Sequence, residues 1–99
     1  MVIWTPRARA DLKAIYDYIA KDSPRNAQRI TREIVQKPDV LLQLPQLGRK
    51  VPEINDDRLR EISLYSWRII YWQQHGQIFI LTVIHKRRHL AVDEINLEH

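Results

Sequence analysis

The chain has 99 residues, enough for one hydrophobic core and no second. With 44% hydrophobic and 28% charged residues it is not a disordered chain, and no apolar run approaches the ~18 residues that predict a membrane span. Sixteen basic against twelve acidic side chains leave a net charge of +4, which points to an anionic partner, and zero cysteines exclude disulfides and thiolate metal sites.

The opening Met1-Val2-Ile3-Trp4-Thr5-Pro6 has no basic n-region or long apolar stretch, so no secretory signal is expected. Val2-Ile3-Trp4 reads as a short edge strand. Thr5-Pro6 then opens a helix, threonine as cap and proline at the first helical position. Leu12, Ile15, Tyr16 and Ile19 follow at helical spacing, and the helix stops before Asp22. Ser23-Pro24 repeats the start signal, and Ala27, Ile30, Ile34 and Leu41 keep one face through a second helix. Pro38 removes a hydrogen bond to Ile34, at a cost of about 3 kcal/mol in a helix interior, so a kink or break is predicted over Gln36–Pro38.

Leu44 to Pro52 reads as a basic loop. From Leu59 to Tyr65 the period changes to two, Trp67 to Gln73 is nearly continuous in apolar residues, and Gln74-His75-Gly76 is a turn. Ile78 to His85 is apolar on both faces, which predicts a strand inside the sheet. Leu90 to Ile95 has the pattern of a short helical turn. Leu97-Glu98-His99 resembles the start of a histidine tag and is set aside as an expression remnant, leaving one domain over residues 1–96. The order β-α-α-β-β-β predicts an α+β, two-layer fold, a helical hairpin packed on a mostly antiparallel sheet. The expected core sets Leu12, Ile15, Ile19, Ile30, Ile34 and Leu41 against Ile62, Ile70, Ile80 and Val83.

Cations recur in separate segments: Arg49 and Lys50 in the loop, Arg58 and Arg60 entering a strand, Lys86, Arg87 and Arg88 after the last strand. Brought together they would clamp a phosphate or grip an anionic partner; left apart they are a solvated face. Arg68 interrupts an apolar strand, where a charge needs a partner or a role, and Glu61 in the preceding strand is a candidate for a cross-strand ion pair. His85 and His89 sit beside these arginines, and a histidine there is a candidate general acid or base, or simply packs at a strand end. Histidines are few and no carboxylates accompany them at ligand spacing, so no metal and no cofactor is expected.

The runs Trp4-Thr5-Pro6, Asp11-Leu12, Ile15-Tyr16-Asp17-Tyr18-Ile19, Gly48-Arg49, Val51-Pro52-Glu53, Trp67-Arg68-Ile69-Ile70-Tyr71 and Ile80 to Arg88, in this order and spacing, resemble the RelE/ParE superfamily of bacterial type II toxins. The resemblance implies the same β-α-α-β-β-β fold, a cytoplasmic protein and a cognate antitoxin that is acidic and partly disordered. Operator DNA would be bound only through that antitoxin. One branch of the superfamily cuts messenger RNA on the ribosome; the other poisons DNA gyrase. In the first, Arg68, His85, Arg87 and Arg88 would be catalytic, with Glu53 as a general base. The lysine pair of that branch is only approximated by Arg49-Lys50 and Arg58/Arg60, and Leu90-Ala91-Val92 stands where it carries a tyrosine. The run His85 to Leu90 and the Asp11-Leu12 helix opening are more similar to the ParE branch. The expectation is therefore a gyrase poison with Arg49, Lys50, Arg58, Arg60, Lys86 and His89 as target-binding candidates. The alternatives are a ribosome-dependent RNase and a degenerate module that only binds antitoxin.

Overall fold

The computed structural model describes residues 1–95. The presumed tag remnant at 97–99 and the domain boundary at 96 lie outside the described residues. Strand β1 (Val2–Trp4) leads directly into helix α1 (Pro6–Ala20). The Thr5 hydroxyl joins them: it accepts the Ala8 N–H at 3.2 Å, starting the helix, and donates to the Ile80 carbonyl at 2.8 Å, fixing that start to the sheet. Ser23 caps helix α2 (Pro24–Gln36) in the same way, accepting the Asn26 N–H at 3.2 Å. Helix α2 ends just before Pro38, where the break is predicted, and the chain continues as a 3-10 helix, Lys37–Leu42, that still delivers Leu41 fully buried.

Strands β3 (Leu59–Leu64), β4 (Trp67–Gln74) and β5 (Gln77–His85) form an antiparallel meander. The sheet order is β1-β5-β4-β3-β2, where β2 is Arg49–Lys50, with β1 parallel to β5, so β5 is flanked on both sides as its two apolar faces require. Two sequence readings are corrected here. Arg49–Lys50, read as loop, forms the edge strand β2, because its backbone pairs with the distant Arg60 and Glu61. Tyr65, read as strand, sits at φ 54° in the β3–β4 turn, a left-handed conformation that ends the strand. The β4–β5 turn places His75 and Gly76 both at positive φ, the geometry of a two-residue hairpin.

The core has two halves. Ile15, Ile34, Leu41, Ile62, Ile69, Tyr71, Ile80 and Val83 pack between helices and sheet, with Leu12, Ile19, Ile30 and Trp67 partly buried at the margin. On the far face Val51, Leu59, Ile70, Trp72, Leu81, Ile84 and Leu90 form a second cluster. Ile70, expected under the helices, therefore belongs to the far face: alternation in β4 turns Trp67, Ile69 and Tyr71 to the helices, and Ile70 and Trp72 away. The register shifts beside it, Ile70 pairing with Thr82 but Tyr71 with Ile80, so Leu81 is an extra residue in β5. The architecture is α+β with the helical hairpin on one face of a five-stranded, mostly antiparallel sheet. The far face is roofed by Val51–Ile54 and by the segment carrying Leu90 and Ile95.

Candidate functional site

Arg68, the second residue of β4, reaches out on the far face and is only 5% exposed. A guanidinium has five N–H groups, and all five are engaged. Nε and one Nη2 proton go to Glu61 Oε1 at 3.2 and 2.7 Å. The other Nη2 proton and one Nη1 proton form a fork onto both oxygens of Glu53 at 2.7 Å each. The last Nη1 proton goes to the Arg88 carbonyl at 3.0 Å. Glu61, 2% exposed, passes its second oxygen to Arg49, whose Nε donates to Oε2 at 3.1 Å. Two arginines thus face two glutamates, and the burial cost is met by complete pairing. The cross-strand partner read from the sequence is present, but it is one of three acceptors.

Glu53 is held from two sides, since the Leu90 N–H also donates to its Oε2 at 2.9 Å. The Arg68 hydrogen bonds hold the Glu53 carboxyl down at about 2 against the desolvation that opposes them. The same pairing raises Arg68 further above its ordinary range. A carboxylate so acidified is a weak proton acceptor near neutrality.

The other proposed catalytic groups lie elsewhere. His85 pairs in register with Trp67, and the two rings meet edge to face at 5.5 Å between centroids. Trp67 packs with the helix-side cluster, so His85 and Arg68 lie on opposite faces of the sheet. The exposed His85 accepts the Arg87 N–H on Nδ1 at 3.1 Å. Arg88 turns its guanidinium to Glu94, which also takes Arg7 Nη2 at 3.2 Å. The Ala91 N–H, Arg88 and Arg7 together hold the Glu94 carboxyl at about 2.

The target-binding candidates divide into two groups at opposite ends of the strands. Lys50, Arg58 and Arg60 sit where β3 begins; Lys86 and His89, exposed, follow the end of β5. In the first group two cations are paired with carboxylates and the third is bonded to the backbone. Lys50 pairs with Asp57 at 2.7 Å, Arg58 with Asp56 at 2.7 Å, and Arg60 donates to the Gly48 carbonyl at 3.0 Å. Arg49, between the groups, is tied to Glu61. Among the described residues no cluster of three or more metal-ligating side chains occurs. The sequence reading missed the fork between Glu53 and Arg68 and the anchoring of the last segment to it. The available signal was Arg68 itself, a charge in an apolar strand for which one glutamate leaves several donors unmet.

Residues 2–90 match the family model described as the ParE toxin of type II toxin–antitoxin system, parDE. The chain is 36% identical over 88 residues to Toxin RelE2 of Caulobacter vibrioides, covering 88% of this chain and 96% of that protein. Its fold is similar to a chain in the structure titled "Chromosomal ParDE TA system from P. aeruginosa", with TM-score 0.70 and 28% identity over 85% of this chain and 92% of that one.

Proposed function

The chain belongs to the ParE toxin family of type II toxin–antitoxin systems, and from that premise we propose that it acts by binding and poisoning DNA gyrase, blocking replication, rather than by cutting RNA. As a toxin of such a system it has a cognate antitoxin as partner. The single observation that carries the choice of target is the state of Arg68: all five of its donors are satisfied inside the protein. A phosphate arriving there would have to displace a carboxylate. Glu53 is already acidified by the same contact, and His85 stands on the other face of the sheet. Cationic stabiliser, base and acid are not assembled around one point, as in-line RNA cleavage requires. Poisoning an enzyme needs only preferential affinity for its cleaved-DNA state. The contacts would come from the helical hairpin and the exposed Lys86, Arg87 and His89.

This function places the protein in the cytoplasm, with operator DNA reached only through the antitoxin. Among the described residues no helix is long and apolar enough to cross a membrane. The test uses purified components. The expected result is inhibited supercoiling with gyrase-dependent DNA breaks, and intact message in a translating extract. Cleaved message with unaffected supercoiling overturns the proposal in favour of the RNase; silence in both assays leaves a module that only binds antitoxin.

A further inference from the structure

Exposed large apolar side chains concentrate in one stretch of the chain. Val40, Leu42, Leu44 and Leu47 all fall between α2 and β2, and Leu44 and Leu47 are each 55% exposed. The stretch is anchored from within by the buried Leu41 and by Tyr71, whose hydroxyl donates to the Pro45 carbonyl at 2.7 Å and accepts the Gly48 N–H at 3.0 Å. The Leu44 N–H bonds the Val40 carbonyl at 3.0 Å and the Leu47 N–H bonds the Leu44 carbonyl at 3.0 Å, so the two leucines stand on either side of a closed turn. A surface held in this way gives up little conformational entropy when it is covered.

Leu44, Pro45 and Leu47 line a cleft of about 480 Å³ together with Gln43, Gln46 and Gln73, the last from the end of β4. None of these side chains is charged. The charges around the cleft are of both signs and paired at short range: Lys50 with Asp57, Arg58 with Asp56, and Arg49 with Glu61. Lys37 shares its 3-10 helix with Asp39. Most of the molecule's excess positive charge lies elsewhere. Among the described residues Arg9, Arg25 and Arg32 of the hairpin, and Lys86 and Arg87 beyond β5, form no ion pair.

We infer that this cleft is the surface by which two copies of the chain associate about a two-fold axis, Leu44 and Leu47 of each copy packing against the same pair of the other. Nucleic acid or an acidic protein is drawn by net positive charge, of which this face has little. Two copies of a chain with net charge +4 repel unless they meet where charge is balanced, and this is the exposed apolar face that meets that condition. A glutamine amide both donates and accepts, so Gln43, Gln46 and Gln73 are able to pair with their own copies across the axis, which a ring of like charges is not. The cleft is a small part of the ~800 Å² per partner that a standard interface buries, so the dimer is weak, with Kd about 10–100 μM. It leaves Lys86, Arg87 and His89 uncovered at the opposite end of the strands and presents two such ends to a target.

The test is sedimentation of the purified full chain from about 5 to about 500 μM, a range that brackets this Kd. The mass is expected to rise from 11.9 kDa toward twice that value and to stop there. Leu44→Asp and Leu47→Asp, at exposed positions and with folding checked by their unfolding midpoints, are expected to weaken association about tenfold or more. Tyr18→Asp, the same kind of change at an exposed position on the hairpin, is expected to stay within about twofold of the parent. Gln46→Lys and Gln46→Glu are each expected to associate less than the parent when alone, like charge facing like across the axis, and to recover when mixed. A parent chain that stays at 11.9 kDa throughout, masses that grow beyond two copies, aspartate variants that associate as the parent does, or a mixture of the two Gln46 variants that stays apart would each overturn the inference. None of these outcomes touches the toxin reading, which supercoiling and message cleavage decide.

Discussion

Arg68 and Glu53 show how far one residue can be read from a sequence. That a guanidinium inside Trp67-Arg68-Ile69-Ile70-Tyr71 demands acceptors follows from the cost of burying charge. Glu61 was legible as one acceptor because β3 and β4 are neighbours in the chain. Glu53 and the Arg88 carbonyl were not, because they arrive from loops whose path no periodicity encodes. Glu53 carries a pH prediction. Its folded pKa, about 2, lies below the ordinary 4.5, so its stabilising contribution is complete above the unfolded value and is lost as pH falls from about 4.5 to about 2. Linkage sets its size at about 3 kcal/mol at most. Glu53→Gln is expected to be less stable than the parent at pH 7 and to lose less stability between pH 5 and pH 2, measured by urea unfolding across that range. A residual slope from Glu94 is expected, since it is shifted in the same direction. Curves that stay parallel would show the fork to be energetically silent. Gly48 is a second residue-scale case. A Cβ there would lie 2.6 Å from the Glu61 carbonyl oxygen and 2.7 Å from the Tyr71 ring, whose hydroxyl receives the Gly48 N–H and donates to the Pro45 carbonyl. Gly48→Ala is expected to cost about 1–3 kcal/mol by thermal or urea unfolding; a neutral result would mean that the loop shifts freely over Tyr71.

At the scale of elements, the start and stop chemistry of the helices was legible because it is local. Thr5-Pro6 and Ser23-Pro24 carry cap and first-turn proline together, and Pro38 marks the end of α2. β2 was not legible: two exposed cations have no period, and only pairing with β3 makes them a strand. The two caps, alike in sequence, differ in what they hold. Ser23 is a helix cap alone, whereas the buried Thr5 hydroxyl also donates to the Ile80 carbonyl on the stretch of β5 reached by β1. Ser23→Ala is expected to cost about 0.5–1 kcal/mol, the ordinary value of a cap. Thr5→Ala is expected to cost more, about 1.5–2 kcal/mol, since it removes the cap and one of two donors on the Ile80 carbonyl, which keeps the Thr5 N–H at 3.1 Å. Thr5→Ser should recover most of that loss. Equal costs for the two alanine variants, measured by denaturant unfolding at one pH, would show that the bond to the sheet adds nothing.

For the whole molecule, the two-layer architecture followed from element order, but the far face did not. Strand alternation turns Arg68 and Trp72 away from Trp67 and Tyr71, but alternation alone does not say what covers them. The structure answers with the chain that follows β5. The Lys86 N–H bonds the Ser66 carbonyl at 2.8 Å, the Arg88 carbonyl takes Arg68, the Leu90 N–H takes Glu53, and Glu94 binds both Arg7 and Arg88. Leu90 itself is fully buried against Ile70, Leu81 and Ile84. This segment is a roof over the second core, and the exposed cations it bears, Lys86, Arg87 and His89, are held in place by it. A chain ending at Lys86 should therefore behave as a protein with an opened core. Loss of the Leu90 side chain alone accounts for about 2 kcal/mol of apolar burial. Arg68 and Glu53 each lose a partner inside a low-dielectric network as well, which adds a penalty of about 1–3 kcal/mol for each group left short. The shortened chain is expected to unfold at markedly lower urea than a chain ending at Ile95. It is also expected to bind a hydrophobic dye at pH 7, where the longer chain does not. A shortened chain with the parent's midpoint and no dye binding would mean that the far face is stable uncovered, and that the Arg68 network closes without its backbone acceptor.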